Sequence, residues 1–327
     1  MKVLSSIIPL YNSAKWLEKC LYSVLAQDIP EEEMEIICVN DGSPDNSADL
    51  AREIGKKHPS IIVIDQPNQG PSGARNTGMK AATGKYLCFV DPDDYVSPNV
   101  YGTLIKQMEE EQLDAIRFNY CTENEQYEPI QEFAHPVPFD YTPKLMSGDE
   151  FIGSRLHVAC YIWTYIFRRD IIINNEIWCF TGDYFDDTPW LPLVLRKVKR
   201  MNITPLLVQH YIIRANSLVR ADSPAMAERK IKGAIFVLDQ LCEQMQTVTD
   251  DAVRSWYKTT MSHSAFGLLS MVAMNRCEEC EKYIDMLKKY NMFPLSFRPI
   301  SRMAAFKMHL ANFSPLIYCK LIHFKHK

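Results

Sequence analysis

Three carboxylates stand within four residues at Asp91-Pro92-Asp93-Asp94, directly after the apolar run Tyr86-Leu87-Cys88-Phe89-Val90. Carboxylates held so close repel one another, and a hard divalent cation such as Mg²⁺ or Mn²⁺, which prefers oxygen ligands, relieves that repulsion. Mg²⁺ usually takes one or two protein carboxylates and leaves its other positions to water and substrate phosphates. The cluster therefore suggests a cation bridging protein to a nucleotide diphosphate. Asp, Pro and Asp-Asp are also ordinary turn formers, so the surrounding sequence has to decide. The run before the cluster reads as a buried strand, being short, aromatic and β-branched, and it follows the turn signal Thr83-Gly84.

Periodicity predicts the elements that position these groups. Over residues 1–120 strand and helix signals alternate, the pattern of an α/β domain with a mainly parallel central sheet flanked by helices. Strands are expected at Val3–Ile8, Met34–Val39, Ile61–Ile64, Tyr86–Val90 and Ala115–Tyr120. The first helix, capped by Asn12 and Ser13, would bury Trp16, Leu17, Cys20, Leu21, Val24 and Leu25 at i, i+3 and i+4 spacing. Further helices are expected from Asn46 to Lys57, from the Gly70–Gly73 segment through Ala82, and from the Ser97-Pro98 cap pair to near Gln112. Residues 122–144 read as a polar, Pro-dotted loop, of a length usually tied to function. Beyond it, strands at Tyr161–Phe167 and Leu206–Ile213 enclose a helix near Thr188–Val198, and the chain turns helical from Ser223-Pro224 to near Tyr290. The expected division is an α/β domain at 1–220, its 1–120 half for a nucleotide and its 121–220 half for acceptor and base, followed by a helical region at 221–327.

In open α/β sheets ligands bind beyond the carboxyl ends of the strands. Those ends carry Pro9-Leu10-Tyr11-Asn12, Asn40-Asp41-Gly42-Ser43 and the acidic cluster. Tyr11 offers an aromatic face to a base, and Asp41 offers an acceptor to an N–H on its edge. Gly70, Gly73 and Gly78 let backbone approach a ligand closely. Arg75 can present its fork to a phosphate or pair with one of the acids.

Taken in order, Ser6-Ile7-Ile8-Pro9-Leu10-Tyr11-Asn12, Val39-Asn40-Asp41-Gly42-Ser43, Asn68-Gln69-Gly70 through Ala74-Arg75-Asn76-Thr77-Gly78, and Phe89-Val90-Asp91-Pro92-Asp93-Asp94 resemble the family 2 glycosyltransferases of GT-A fold, over residues 1–105. The resemblance implies a nucleotide-diphospho-sugar donor, UDP-linked by preference, a divalent metal cofactor (Mn²⁺ or Mg²⁺), and transfer with inversion to a saccharide or lipid-linked saccharide acceptor. It places Pro9, Tyr11, Asp41, Gly70, Gly73, Arg75 and Asp91 about the nucleotide-sugar and Asp93 and Asp94 on the metal. It also implies a Glu-Asp pair supplying the general base. Gly182-Asp183-Tyr184-Phe185-Asp186-Asp187-Thr188 is similar to that segment, with Asp186 in place of Glu, Asp187 as the base and Asp183 as its rival. The same carboxylates would also cap the helix that follows. Tyr211, Arg214, Asn216 and Ser217 resemble the segment that reaches the diphosphate, the alternative for Arg214 being a surface charge. Trp163 and Trp190 fit either an acceptor-sugar platform or the core.

Composition narrows the class. Hydrophobic content of 47% and charged content of 23% suit a soluble globular protein, and the net charge of −4 argues against nucleic-acid binding. The last acidic side chain is Asp285; eight Lys and Arg follow it, which leaves residues 1–285 at −12. The basic stretch 296–327 is also apolar, with Phe297, Phe306, Phe313, Ile317, Leu321 and Phe324 among its residues, as suits attachment to an anionic leaflet; a helix packed on the body is the alternative. Ten scattered cysteines without a disulfide framework point to a reducing, cytoplasmic setting, and Cys277-x-x-Cys280 has no second pair at zinc spacing. The opening apolar stretch is too short for a signal peptide, and none approaches the ~20 residues that span a bilayer. A processive synthase would carry such spans and a Gln-x-x-Arg-Trp motif. After its first strand the chain lacks the G-x-G-x-x-G of a dinucleotide-dependent oxidoreductase, and Pro9-Leu10-Tyr11-Asn12 is not the Gly-rich, basic phosphate loop of a nucleotidyltransferase. A silent sugar-nucleotide-binding scaffold remains a competing class.

Overall fold

The structure is a computed structural model and describes residues 2–130, 144–158, 160–181, 187–214, 223–297 and 301–326. Strand β1 (Leu4–Leu10) is buried along its whole length, on both faces, as a central strand must be. After it come α1 (Ala14–Leu25), β2 (Met34–Asp41), α2 (Ser47–Gly55), β3 (Ile61–Gln66), α3 (Gly70–Ala81), β4 (Tyr86–Phe89), β5 (Tyr95–Val96), α4 (Tyr101–Glu110) and β6 (Ala115–Glu123). The chain continues through α5 (Gly148–Ser154), β7 (Tyr165–Arg168), α6 (Arg169–Ile173), α7 (Asp187–Leu195) and β8 (Met201–Ile212). It ends in α8 (Pro224–Met245), α9 (Asp251–Asn275), α10 (Cys280–Lys289), α11 (Arg302–Phe313) and α12 (Pro315–His326).

One sheet holds the eight strands in the order β3-β2-β1-β4-β7-β6-β8-β5. β1 pairs in parallel with β2 and β4, β2 with β3, and β6 with β8. β7 runs against both β4 and β6, and β5 against β8. Six strands thus share one direction, and the carboxyl ends of β1, β2 and β4 lie side by side.

The chain divides into two compact units. The first, 1–148 with 161–182 and 193–220, contains the sheet. Helix α1 buries Trp16, Leu17, Cys20, Leu21 and Val24, the stripe its spacing predicts. Helix α3 lies close on β1: a Cβ on Gly78 would meet Ile7 Cγ2 at 2.4 Å, so only glycine fits there.

Two helix starts of this unit are held from a distance. Ser13 makes no side-chain cap to α1; its N–H donates to Ser47 Oγ (3.1 Å), and Ala14 N–H donates to Asp45 Oδ2 (2.9 Å). The helix expected at Ser97-Pro98 begins at Tyr101, because Ser97 N–H is bonded to Val208 O and Gln27 Oε1 accepts from the N–H groups of Val100 and Tyr101 (3.1 and 3.0 Å). The strand expected at Tyr161–Phe167 is a short 3-10 turn, Ile162–Thr164, followed by β7.

The second unit, 149–160 with 183–192 and 221–327, is helical among its described residues. Helices α8 and α9 pack along each other, and α12 packs on α9. Leu238, Leu241, Leu268, Leu269 and Val272 are fully buried there. Its polar groups are satisfied close by: Gln244 Nε2 donates to Pro189 O (3.0 Å) and accepts at Oε1 from Tyr257 OH (3.0 Å).

Candidate active site

β2 and β4 flank β1, so strand spacing puts Asp41 and the Asp91 cluster about 10 Å apart on either side of Pro9. Pro9 is buried in β1, and Tyr11, just beyond its end, is 54% exposed. Asp41 is buried, and its Oδ1 accepts from Gln66 Nε2 (2.7 Å) and Gln69 N–H (2.8 Å). One carboxylate oxygen thereby fixes the loop that enters α3. Gly70 opens that helix with φ +78°, a conformation L side chains rarely adopt, and open space surrounds the position of its missing Cβ. Gly73 lies one turn further along α3.

The acids themselves are paired with two arginines. Arg75, on α3 and almost fully buried, gives Nη2 to Asp91 Oδ1 at 3.0 Å. Arg214, two residues beyond β8, pairs with Asp93. Asp94 is buried; its Oδ1 accepts from Ile212 N–H (2.8 Å), while Oδ2 has no hydrogen-bond partner of normal geometry among the described residues. Burial pushes Asp93 up to about 6 against the opposing charge of Arg214, with Asp91 adding to the rise. Burial and the charges of Asp93 and Asp91 push Asp94 up as well. With all three carboxyls ionised, the two guanidinium groups would leave this cluster one negative charge in excess, which is why burial pushes its acids toward the neutral form. A divalent cation fits that excess and the orphaned Asp94 oxygen.

Sequence reading left open whether Arg75 meets phosphate or acid, and did not see the Asp93–Arg214 pair, whose members are 121 positions apart in the chain. Beside the cluster stands an aromatic stack. Trp163 lies between Tyr161 and Tyr211, at 5.1 and 5.5 Å between ring centroids, with Tyr120 edge-on at 5.0 Å. Tyr211 precedes Ile212, whose N–H is bonded to Asp94, and burial with the charges of Asp94, Asp91 and Asp93 raises the Tyr211 hydroxyl. Trp163 is 5% exposed and Trp190 fully buried, so both rings pack inside the protein.

In the second unit Asp187 is the first residue of α7, where the helix dipole favours a carboxylate. Burial raises the Cys160 thiol, and the charge of Asp187 adds to the rise. Asp186, its rival Asp183, and Asn216 and Ser217 lie outside the described residues. Cys277 and Cys280 are free thiols at the start of α10.

The mainly parallel sheet, with acids gathered at the carboxyl ends of its strands, defines an α/β fold whose ligands sit at those ends. Residues 5–172 match the family described as Glycosyl transferase family 2. The chain is 34% identical over 232 residues to the uncharacterized glycosyltransferase EpsJ of Bacillus subtilis (strain 168), spanning 69% of this chain and 66% of that protein. It is 28% identical over 297 residues to the uncharacterized glycosyltransferase YibD of Escherichia coli (strain K12), spanning 88% of this chain and 82% of that one. Its fold is similar to S. aureus TarS 1–349 in complex with UDP-GlcNAc, with a TM-score of 0.69 at 18% identity, covering 100% of this chain and 91% of TarS 1–349. It is also similar to the mannosyltransferase PcManGT from Pyrobaculum calidifontis in complex with GDP-Man and Mn²⁺, with a TM-score of 0.52 at 15% identity, covering 99% and 87%. The chain belongs to glycosyl transferase family 2 and is a glycosyltransferase of GT-A fold.

Proposed function

We propose that this enzyme moves a sugar from a UDP-linked donor to a saccharide acceptor, lipid-linked, with inversion by direct displacement at the anomeric carbon. The observation that carries the reading is the acidic cluster at the end of β4, three carboxylates with two arginines aimed at them. Asp93 and Asp94 would hold Mn²⁺ or Mg²⁺, which when bound supplies neutralising charge for the leaving diphosphate. Pro9, Tyr11, Asp41, Gly70, Gly73, Arg75, Asp91 and Arg214 would receive the nucleotide-sugar. Arg214 in particular can turn from Asp93 toward a phosphate, since its fork suits either partner. Asp187 would take the proton of the acceptor hydroxyl as it attacks, a step worth about 10²–10⁴ in rate, with Asp186 beside it in sequence. TarS holding UDP-GlcNAc and the mannosyltransferase holding GDP-Man with Mn²⁺ lend support to a nucleotide-sugar donor and a divalent ion.

Calorimetry tests this directly. Saturating Mn²⁺ is expected to tighten UDP binding, and Asp93→Ala to abolish the tightening. No metal effect, together with a silent Asp93→Ala, would overturn the reading. Release of free UDP from a donor panel separates a catalyst from a silent binder.

We propose further that the enzyme is cytoplasmic and attaches peripherally to the inner membrane face through residues 296–327. No described helix is long and apolar enough to cross a membrane. On α12, Ile317, Leu321 and Phe324 follow one helical face and are 47%, 53% and 82% exposed; on α11, Met303, Phe306 and Phe313 are 61%, 63% and 85% exposed. Exposed rings and Leu beside Lys307, Lys320 and Lys325 suit a surface of anionic lipid. Co-sedimentation with anionic liposomes is expected for the full chain and lost on truncation after Tyr290; equal pelleting of both would refute it.

A further inference from the structure

Cross-strand register brings three metal-ligating residue types onto one patch of the sheet. Cys121 on β6 is paired directly with His210 on β8, and His210 in turn with Tyr95 on β5. Glu123 stands two residues beyond Cys121, so the pleat puts it on the same face. The side chains converge: His210 Nδ1 lies 2.8 Å from Glu123 Oε1 and 3.2 Å from Cys121 Sγ, and Cys121 Sγ lies 3.7 Å from Glu123 Oε1. No other such group of three occurs among the described residues.

We propose that Cys121, Glu123 and His210 form a cation site, distinct from the acidic cluster, for a divalent ion that accepts thiolate, Zn²⁺ above all. A tetrahedral Zn²⁺ with ligands at about 2.0–2.3 Å sets those ligands about 3.3–3.6 Å apart. The Cys121–Glu123 separation is within about 0.1 Å of that spacing; the Cys121–His210 pair must open by a few tenths of an ångström and the nitrogen–oxygen pair by about half an ångström, from a hydrogen bond into shared coordination. The atoms around the trio hold its ligands in place, as an outer shell does. Ser97 Oγ lies 3.0 Å from His210 Nε2 and can accept its N–H, which leaves the Nδ1 lone pair turned toward Cys121 and Glu123. Tyr95 OH donates to Glu123 Oε2 (2.8 Å), and the Tyr95 ring stacks on His210 at 4.2 Å. Binding releases the Cys121 thiol proton to solvent, and thiolate plus carboxylate then balance the two charges of the ion. Three protein ligands leave a fourth position for water or an incoming ligand. The assignment is independent of the donor reading, since none of these residues belongs to the proposed nucleotide-sugar or acceptor groups.

Co²⁺ substituted for Zn²⁺ reports sulfur coordination by absorbance. One equivalent per chain is expected to give a thiolate-to-cobalt charge-transfer band, which Cys121→Ser abolishes while Cys280→Ser and Asp93→Asn retain it. Ser97→Ala, which removes the outer-shell partner of His210, is expected to weaken Zn²⁺ by about 10–100-fold. In the unmutated chain, Zn²⁺ should block alkylation of Cys121 by iodoacetamide, read by peptide mass spectrometry. A band that survives Cys121→Ser, or an alkylation rate at Cys121 indifferent to Zn²⁺, overturns the site. The alkylation measurement needs no variant to fold.

Discussion

The sheet-bearing unit and the helical unit solve the same problem, unpaired groups at helix ends, in opposite ways. In the sheet unit the partners come from far along the chain. Asp45, besides holding its own neighbour α2, holds the start of α1 from 31 positions away, Gln27 holds the start of α4, and Asp28 Oδ1 accepts from Gly102 N–H (2.8 Å). In the helical unit each helix that has a side-chain cap takes it from the residue just before it: Ser223 for α8, Asp250 for α9, Ser301 for α11. Non-local caps lock loops to one another, and those loops lead to the strand ends where Tyr11, Asp41 and Asp91 stand. Local caps shape one helix and transmit nothing. A rigid, polar-tied edge suits placing charges to fractions of an ångström, whereas the helical unit needs only apolar packing to persist.

Asp187 is the residue that most threatens this division, because it lies in the helical unit and yet is proposed as the base. Asp187→Asn is expected to lower turnover by about 10²–10⁴ while UDP affinity stays within about twofold. Steady-state kinetics with UDP calorimetry on the same preparation measures both. Unchanged turnover would confine the chemistry to the sheet unit and remove Asp187 from the mechanism.

Packing in the helical unit gives the next largest effect. Leu268 on α9 is fully buried, and Leu268→Ala should cost about 2–5 kcal/mol through lost burial and the cavity left behind. Thermal melting should show that loss, and calorimetry below the transition should show UDP binding unaltered. A donor affinity weakened tenfold or more would mean the helical unit does shape the strand-end crevice.

What the sequence made legible follows the same line. The strands from β1 to β4 and the stripe of α1 were readable because each is a short apolar run or a 3.6-residue period bounded by Gly, Pro and Asn. The acidic cluster was readable because its members are adjacent in sequence. Arg214 beside Asp93, Gln27 under α4, and His210 beside Cys121 were not, since each joins residues more than 70 positions apart and only strand order and register bring them together. Ser13 and Ser97 carried good local cap signals that the fold overrode, one buried against Ser47 and the other bonded across to β8.

Asp45 tests the non-local half of the comparison. Burial alone would raise its carboxyl, but hydrogen bonds from Ser43, Ser47 and the Ala14 and Ser47 amides overcome that and bring it down to about 2. A folded value below the unfolded one stabilises the protein once the pH is above about 4, and that contribution fades as the pH falls toward 2. Asp45→Ala should therefore lower stability by about 1–2 kcal/mol at pH 7, solvent screening trimming the effect of this partly exposed carboxylate, with the gap between variant and parent narrowing in urea titrations below pH 4. A gap that stays constant across that range would show that Asp45 acts through packing and not through its charge.

Asp250 is the matching test on the local side and carries the smallest effect. Its side chain accepts from Val253 N–H at 2.9 Å and has only the first turn of α9 to hold. Asp250→Ala should cost about 1 kcal/mol, within the usual range for one lost cap. Because the bond closes within four residues, Asp250→Ser should recover most of the loss, as any short oxygen-bearing cap would. No comparable rescue is expected for Asp45→Ser, whose shorter side chain cannot reach Ala14, Ser43 and Ser47 together. Full rescue at both positions, seen as equal melting temperatures, would erase the distinction between the two kinds of cap; rescue at Asp250 alone would tie it to the reach of a single side chain.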